Sequence, residues 1–140
     1  MKFKISKEED FSEYAELILK TYGVGIYLLT GEMGVGKTTL TKYFLKSLGI
    51  IEFEGSPTFS IINKYRHNST IFHLDCYRIK NKKDAFEIGM EELFDETAYF
   101  FIEWPEKIES FLPSNVIWVY IRKEENTENR IIELTHDKQS

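Results

Sequence analysis

The sequence predicts an α/β fold of three layers, with a mostly parallel central sheet and an antiparallel hairpin portion. Three observations predict it. The continuously apolar segment 25–29 runs into the glycine-rich stretch Gly31-Glu32-Met33-Gly34-Val35-Gly36-Lys37-Thr38, and a helix-patterned segment leaves that stretch. Further apolar segments alternate with helix-patterned ones, as strands do when helices cover both faces of a sheet. The chain is also of single-domain size: its 140 residues, 42% hydrophobic and 15% aromatic, suffice for one domain, 1–140, with a real core.

Taken in order, residues 6–20 predict a helix, with Phe11, Tyr14, Leu17 and Ile18 as its apolar stripe. Ser6 and Glu9 have the spacing of a capping box. Residues 25–29, Gly-Ile-Tyr-Leu-Leu, predict a buried strand. Residues 39–48 predict the helix beyond the glycines, with Leu40, Phe44 and Leu48 at helical spacing and Gly49 as the stop. Residues 58–66 and 70–75 predict two strands joined by the turn His67-Asn68-Ser69, which is the hairpin. Residues 84–93 predict a short helix capped by Asp84, with Glu87 at the capping-box position. Residues 98–103 form a strong strand, apolar until its acidic end, and 116–122 and 130–134 predict two more. The polar tail 135–140 is expected to fray, and the chain has no internal repeat.

Composition excludes several classes. With 18 basic against 23 acidic residues the net charge is −5, whereas an autonomous nucleic-acid binder is usually basic. Cys76 is the only cysteine, so no intrachain disulfide forms, and a reducing cytosol is the simplest setting. No apolar run approaches membrane-spanning length and no basic-then-apolar leader is present, so a cytoplasmic protein without a membrane partner is expected.

The glycine stretch matches G-x-x-x-x-G-K-[ST], the phosphate-binding P-loop. A loop that wraps a phosphate turns its backbone N–H groups inward, which calls for glycine, and the following helix aims its N-terminus at the anion. Lys37 is placed to reach the β- and γ-phosphates and the Thr38 hydroxyl to bind Mg²⁺. Such a site needs carboxylates at the ends of neighbouring strands, and two strands end suitably, at Asp75 and at Glu103. The sequence does not say which acid serves the metal and which orients the attacking water. Ser56-Pro57-Thr58-Phe59 presents Thr58 on a stiffened loop, either as a γ-phosphate sensor or as an ordinary strand entry. His67, His73 and Cys76 lack the paired spacing of a zinc site. Asn81-Lys82-Lys83-Asp84 mimics the guanine-reading N-K-x-D pattern, but Asp75-Cys76-Tyr77-Arg78 has no glycine where D-x-x-G requires one, and the pattern reads better as a helix cap.

Gly31 to Thr39, Ser56-Pro57-Thr58-Phe59, His73-Leu74-Asp75-Cys76-Tyr77-Arg78 and Ile102-Glu103-Trp104-Pro105, in this order, resemble the TsaE family. Its members are small bacterial P-loop ATPases that support synthesis of threonylcarbamoyladenosine in tRNA. A segment like residues 86–94 follows the Asp-x-Tyr-Arg motif in that family, and the resemblance covers nearly the whole chain. It implies a P-loop NTPase-type fold, ATP and Mg²⁺ as cofactors, and TsaD and TsaB type proteins as partners, with tRNA engaged only through the complex. By position, Met33, Gly34, Val35, Gly36, Lys37, Thr38 and Thr39 would contact the nucleotide, and Thr38 and Glu103 would serve Mg²⁺. The resemblance makes Lys37, Asp75 and Glu103 the catalytic set. It places Thr58 in a switch-like loop, Trp104 beside the site, Arg130 near the nucleotide, and residues 6–8 towards the base. Glu32 and Cys76 are mild departures from the family pattern, at positions with no inferred chemical role.

The expected activity is slow ATP hydrolysis that matters within a tRNA-modifying assembly. Two alternatives use the same scaffold: a small-molecule kinase, and a nucleotide-gated binding subunit without catalysis.

Overall fold

The computed structural model describes residues 1–53, 55 and 61–139. The elements are β1 (Lys2–Ile5), α1 (Glu9–Tyr22), β2 (Ile26–Thr30), α2 (Lys37–Ser47), β3 (Ile62–Arg66), β4 (Thr70–Asp75), α3 (Lys82–Glu87), α4 (Met90–Leu93), β5 (Tyr99–Glu103), a 3₁₀ segment (Pro105–Phe111), β6 (Ile117–Lys123) and β7 (Arg130–Thr135). The strands form one seven-stranded sheet in the order β1-β7-β6-β2-β5-β4-β3. The four central strands β6, β2, β5 and β4 are mutually parallel. At the edges, β3 pairs antiparallel with β4, and β7 antiparallel with β6. β1 is antiparallel to β7 and so regains the central direction. The mostly parallel sheet and its β3–β4 hairpin are as the sequence predicts.

Strand alternation builds the two cores. Tyr27, Leu29, Ile71, Phe101, Val119 and Ile121 point to one face and pack against α1 and α2 through Phe11, Ile18, Leu40 and Phe44. Ile26, Leu28, Phe72, Leu74, Phe100 and Ile102 point to the other and meet Ile79, Ala85, Met90 and Ile108. Helices thus cover both faces, the third layer being α3, α4 and the 3₁₀ segment. Phe101 stacks on Phe44 at 4.8 Å and on Tyr27 at 5.3 Å, so the centre of the α1–α2 face is aromatic. Each such ring contributes about 1.5–3 kcal/mol by burial.

Local expectations change at several points. β1 was not predicted: its four residues alternate Lys-Phe-Lys-Ile, too short a run for periodicity to register, and pairing with β7 makes it a strand. Its outward lysines suit an edge. The capping box from Ser6 does not form. Glu8 is the N-cap of α1 without a side-chain bond, and Asp10 Oδ2 instead accepts from the amides of Ser6 at 2.9 Å and Lys7 at 3.2 Å. A single carboxylate oxygen thus accepts both amides just ahead of the helix. The predicted helix 84–93 is two, α3 and α4, with the chain turning at Gly89 between them. Its cap is Asn81, not Asp84: Asn81 Oδ1 accepts from the Asp84 amide at 2.9 Å, and Asp84 Oδ2 accepts from the Lys80 amide at 3.2 Å. The tail does not simply fray. β7 includes Thr135, the Gln139 amide donates to Tyr120 Oη at 2.6 Å, and Lys138 pairs with Glu109 at 2.7 Å. Of the predicted strand 58–66, residues 62–66 form β3, while 58–60 lie outside the described residues. Among the described residues no helix is long and apolar enough to cross a membrane.

Candidate functional site

The glycine loop sits at the carboxyl edge of the parallel strands, between β2 and α2. Gly31 passes so close to β6 that a Cβ there would collide with the Ile121 carbonyl oxygen and lie 2.9 Å from Val35 Cγ1. Gly36 is the N-cap of α2 at φ 120°, a backbone region that side chains disfavour. The Val35 side chain turns into the core, and its carbonyl oxygen accepts a hydrogen bond from Arg130 Nε at 2.9 Å. Arg130 Nη1 also donates to the Glu128 carbonyl at 2.8 Å. Arg130 therefore braces the loop backbone from the start of β7.

Lys37 opens α2. Its Nζ donates to the Gly31 carbonyl at 2.6 Å and lies 3.8 Å from the centre of the Trp104 ring. Burial lowers the lysine's pKa, against the opposing pull of the Glu103, Glu106 and Asp75 carboxylates. Trp104 follows β5 in the left-handed region, at φ 58°, and starts the 3₁₀ segment. A non-glycine residue pays roughly 1–3 kcal/mol for such a conformation. Here that backbone sets the indole over Lys37, with Tyr77 5.1 Å away on ring centres.

The two predicted acids are partners across the sheet: Asp75 closes β4 and Glu103 closes β5, in direct register. Glu103 is only 3% exposed. The Thr38 hydroxyl donates to its Oε1 at 3.1 Å and its Oε2 at 3.3 Å. His73 Nε2 lies 2.7 Å from Oε2. Asp75 Oδ1 accepts from the Tyr77 amide at 3.1 Å. Burial raises the Asp75 pKa, the Tyr77 amide opposes the rise, and the nearby Glu103 charge adds to it.

Lys37, Thr38, Asp75, Glu103, Tyr77 and Trp104 line a cleft of about 330 Å³, completed by Met33, Gly34, Gly36 and Thr39 along the loop. A second cleft of about 300 Å³ shares Gly34, Gly36 and Thr39 and is walled by Ser6, Lys7, Glu8 and Phe11, with Arg130 at its side. The two hollows meet over the glycine loop. Every predicted site residue lines or braces them except Thr58, which lies outside the described residues. Val35 gives its carbonyl to Arg130 while its side chain is buried, and Arg130 has its described contacts with that carbonyl and with Glu128.

Two features escape a reading of the sequence. His73 carries no assigned role in the sequence, where with His67 and Cys76 it lacks zinc spacing, whereas in the structure it is the buried partner of Glu103. The signal lay in His-x-Asp at alternate positions of a strand, which puts both side chains on one face. Tyr77 holds Asp75 through its backbone amide, which no side-chain pattern reveals. Cys76 points to the opposite core, where burial pushes its thiol up to about 12. Among the described residues no group of three or more His, Cys, Asp or Glu side chains is arranged to hold a metal. Asn81 and Asp84 bond to the backbone around the start of α3.

Fold and site together define a three-layer α/β protein organised around a glycine-rich strand–loop–helix unit, with two carboxylates on adjacent parallel strands beside the loop's lysine. The family model described as threonylcarbamoyl adenosine biosynthesis protein TsaE matches residues 5–132, and this chain belongs to the TsaE family. It is 34% identical over 107 residues to the tRNA threonylcarbamoyladenosine biosynthesis protein TsaE of Bacillus subtilis, across 76% of this chain and 66%, just under two thirds, of that one. The protein of the same name from Rickettsia bellii is 34% identical over 125 residues, across 84% of this chain and 83% of that one. A crystal structure of Bacillus subtilis YdiB is similar at a TM-score of 0.77 and 28% identity, covering 94% of this chain and 82% of that one.

Proposed function

We propose that this chain binds ATP with Mg²⁺ over the glycine loop and hydrolyses it, and that the hydrolysis serves formation of threonylcarbamoyladenosine in tRNA, together with TsaD and TsaB type proteins. The observation that carries the reading is the convergence of Lys37, Thr38, Asp75 and Glu103 on one cleft at the N-terminus of α2. The names of the relatives support the pathway. The chain's net charge of −5 favours contact with tRNA through partners rather than directly.

The residues divide the work by position. The loop amides and Lys37 hold the β- and γ-phosphate oxygens. The second cleft, walled by Ser6, Lys7, Glu8 and Phe11, takes the nucleoside end. Thr38 Oγ1 and a Glu103 carboxylate oxygen are adjacent hard oxygen donors 3.1 Å apart, a set that fits Mg²⁺. When bound, the ion neutralises charge on the phosphate oxygens. Glu103 is committed to Thr38 and His73, so Asp75, which lines the same cleft, is the acid that orients the attacking water. Among the described residues lining this cleft none is an arginine, so slow turnover alone and faster turnover with the partners are expected.

The test is phosphate release from ATP, measured alone and with the TsaD–TsaB pair. Lys37→Ala and Glu103→Ala are each expected to lower it by about 10²-fold or more. Unchanged turnover in both variants overturns the proposal. A kinase reading draws support from a groove of about 510 Å³ beside Lys37, Trp104 and Glu106. Phosphate appearing on an added acceptor, rather than free in solution, would favour it.

A further inference from the structure

His73 lies on β4, fully buried, in register with Phe101 and two residues before Asp75. It therefore shares the sheet face of the acidic pair, one pleat deeper. Its Nε2 is 2.7 Å from Glu103 Oε2. Its Nδ1 is buried and meets no polar partner among the described residues. The ring lies against Phe53, 5.9 Å away on centres, an apolar neighbour that neither donates nor accepts.

The contact with Glu103 places one proton. A bare Nε2 would set its lone pair against a carboxylate oxygen 2.7 Å away, so Nε2 carries a proton and donates it to Glu103 Oε2.

We propose that His73 is a positioning residue, whose Nε2–H holds the Glu103 carboxylate towards Thr38, where the two side chains together can take a cation. The role in cation binding rests on the reading that Thr38 and Glu103 hold Mg²⁺; the hydrogen bond to Glu103 does not. A buried carboxylate that lacks such a donor loses both its orientation and part of its solvation.

Two measurements test this. Ring ¹⁵N–¹H correlation NMR of the wild-type chain is expected to give a protonated, pyrrole-like Nε2 for His73. A pyridine-like Nε2 overturns the proposal. The second measurement compares Mn²⁺ affinity in the presence of ADP with metal-free ADP binding, for wild type, His73→Leu and His73→Gln. His73→Leu is expected to weaken Mn²⁺ binding about tenfold or more while leaving metal-free ADP binding unchanged. His73→Gln, whose side-chain amide reaches the place of Nε2, is expected to recover most of the loss. Undiminished Mn²⁺ affinity in His73→Leu, or equal loss of metal and nucleotide binding in both variants, overturns the role. If His73→Leu does not fold, the glutamine variant decides: near wild-type metal affinity supports the proposal, and a folded variant without metal affinity overturns it. A wild-type chain that binds ADP but no Mn²⁺ sinks the metal reading of Thr38 and Glu103 and the role of His73 with it. Failure confined to the variants touches His73 alone.

Discussion

Cys76 shows how much one position in a strand-to-turn junction decides. It sits between Asp75, which lines the cleft, and Tyr77, whose amide holds Asp75, yet its own side chain is fully buried in the opposite core. Burial raises its pKa to about 12, far above the roughly 8.5 of a free thiol. The folded state therefore keeps a proton that the unfolded state has lost once pH passes about 8.5, and stability falls as pH rises from there towards 12. Below that window the thiol adds no pH dependence. Native protein is expected to resist thiol labelling at pH 8 and to react at the rate of a free cysteine only in denaturant; rapid labelling without unfolding would contradict the burial. Gly31 makes a second prediction at this scale. Gly31→Ala drives a methyl group into the Ile121 carbonyl, so the loop or β6 must shift. A loss of about 1–3 kcal/mol is expected from overpacking, read as a lowered thermal midpoint.

Among the elements, α3 separates two uses of one sequence pattern. Asn81 and Asp84 have the spacing of a guanine-reading motif, and their side chains bond instead to the Asp84 and Lys80 amides around the helix start. Asn81→Ala is expected to lower stability by about 1 kcal/mol, the usual worth of an N-cap, and to leave nucleotide preference unchanged. A switch in preference between ATP and GTP in that variant would revive the motif reading. Arg130 acts between elements in a similar way. It ties the start of β7 to the Val35 carbonyl, so it supports the shape of the loop from a strand three places removed in the sheet from β5. Arg130→Lys removes the Nε donor but keeps the charge. Weaker nucleotide binding in Arg130→Lys, measured by titration, is the expected result; an affinity equal to wild type would show that charge alone matters there.

For the whole molecule, β5 is the spine. Phe101 at its centre stacks on Phe44 and Tyr27, and two residues later the same face presents Glu103 to Thr38. Phe101→Ala is expected to cost about 3–5 kcal/mol in urea unfolding, because it empties the contact between α2 and the sheet. A loss well below that range would mean the core collapses around the gap.

Periodicity and turn chemistry made most of the architecture legible. Glycine spacing, the apolar runs of β2 and β5 and the helical stripe of α2 are local properties, and each names its element without a partner. The acids at the ends of β4 and β5 were legible for the same reason: an apolar strand closing on a carboxylate marks the sheet's carboxyl edge. What failed were features whose cause is remote. β1 exists because β7 offers it hydrogen bonds, the cap of α1 is set by Asp10 folding back, and the tail is held by Tyr120 and Glu109. The sequence by itself determined a P-loop pattern, its flanking strand and helix, and the carboxylates that accompany it. Only the tertiary structure decided that Asp75 and Glu103 face each other in register, that His73 serves Glu103, and that Arg130 braces the loop. Those relations depend on strand order and parity, which bring residues 28 to 95 positions apart side by side and which no local pattern encodes.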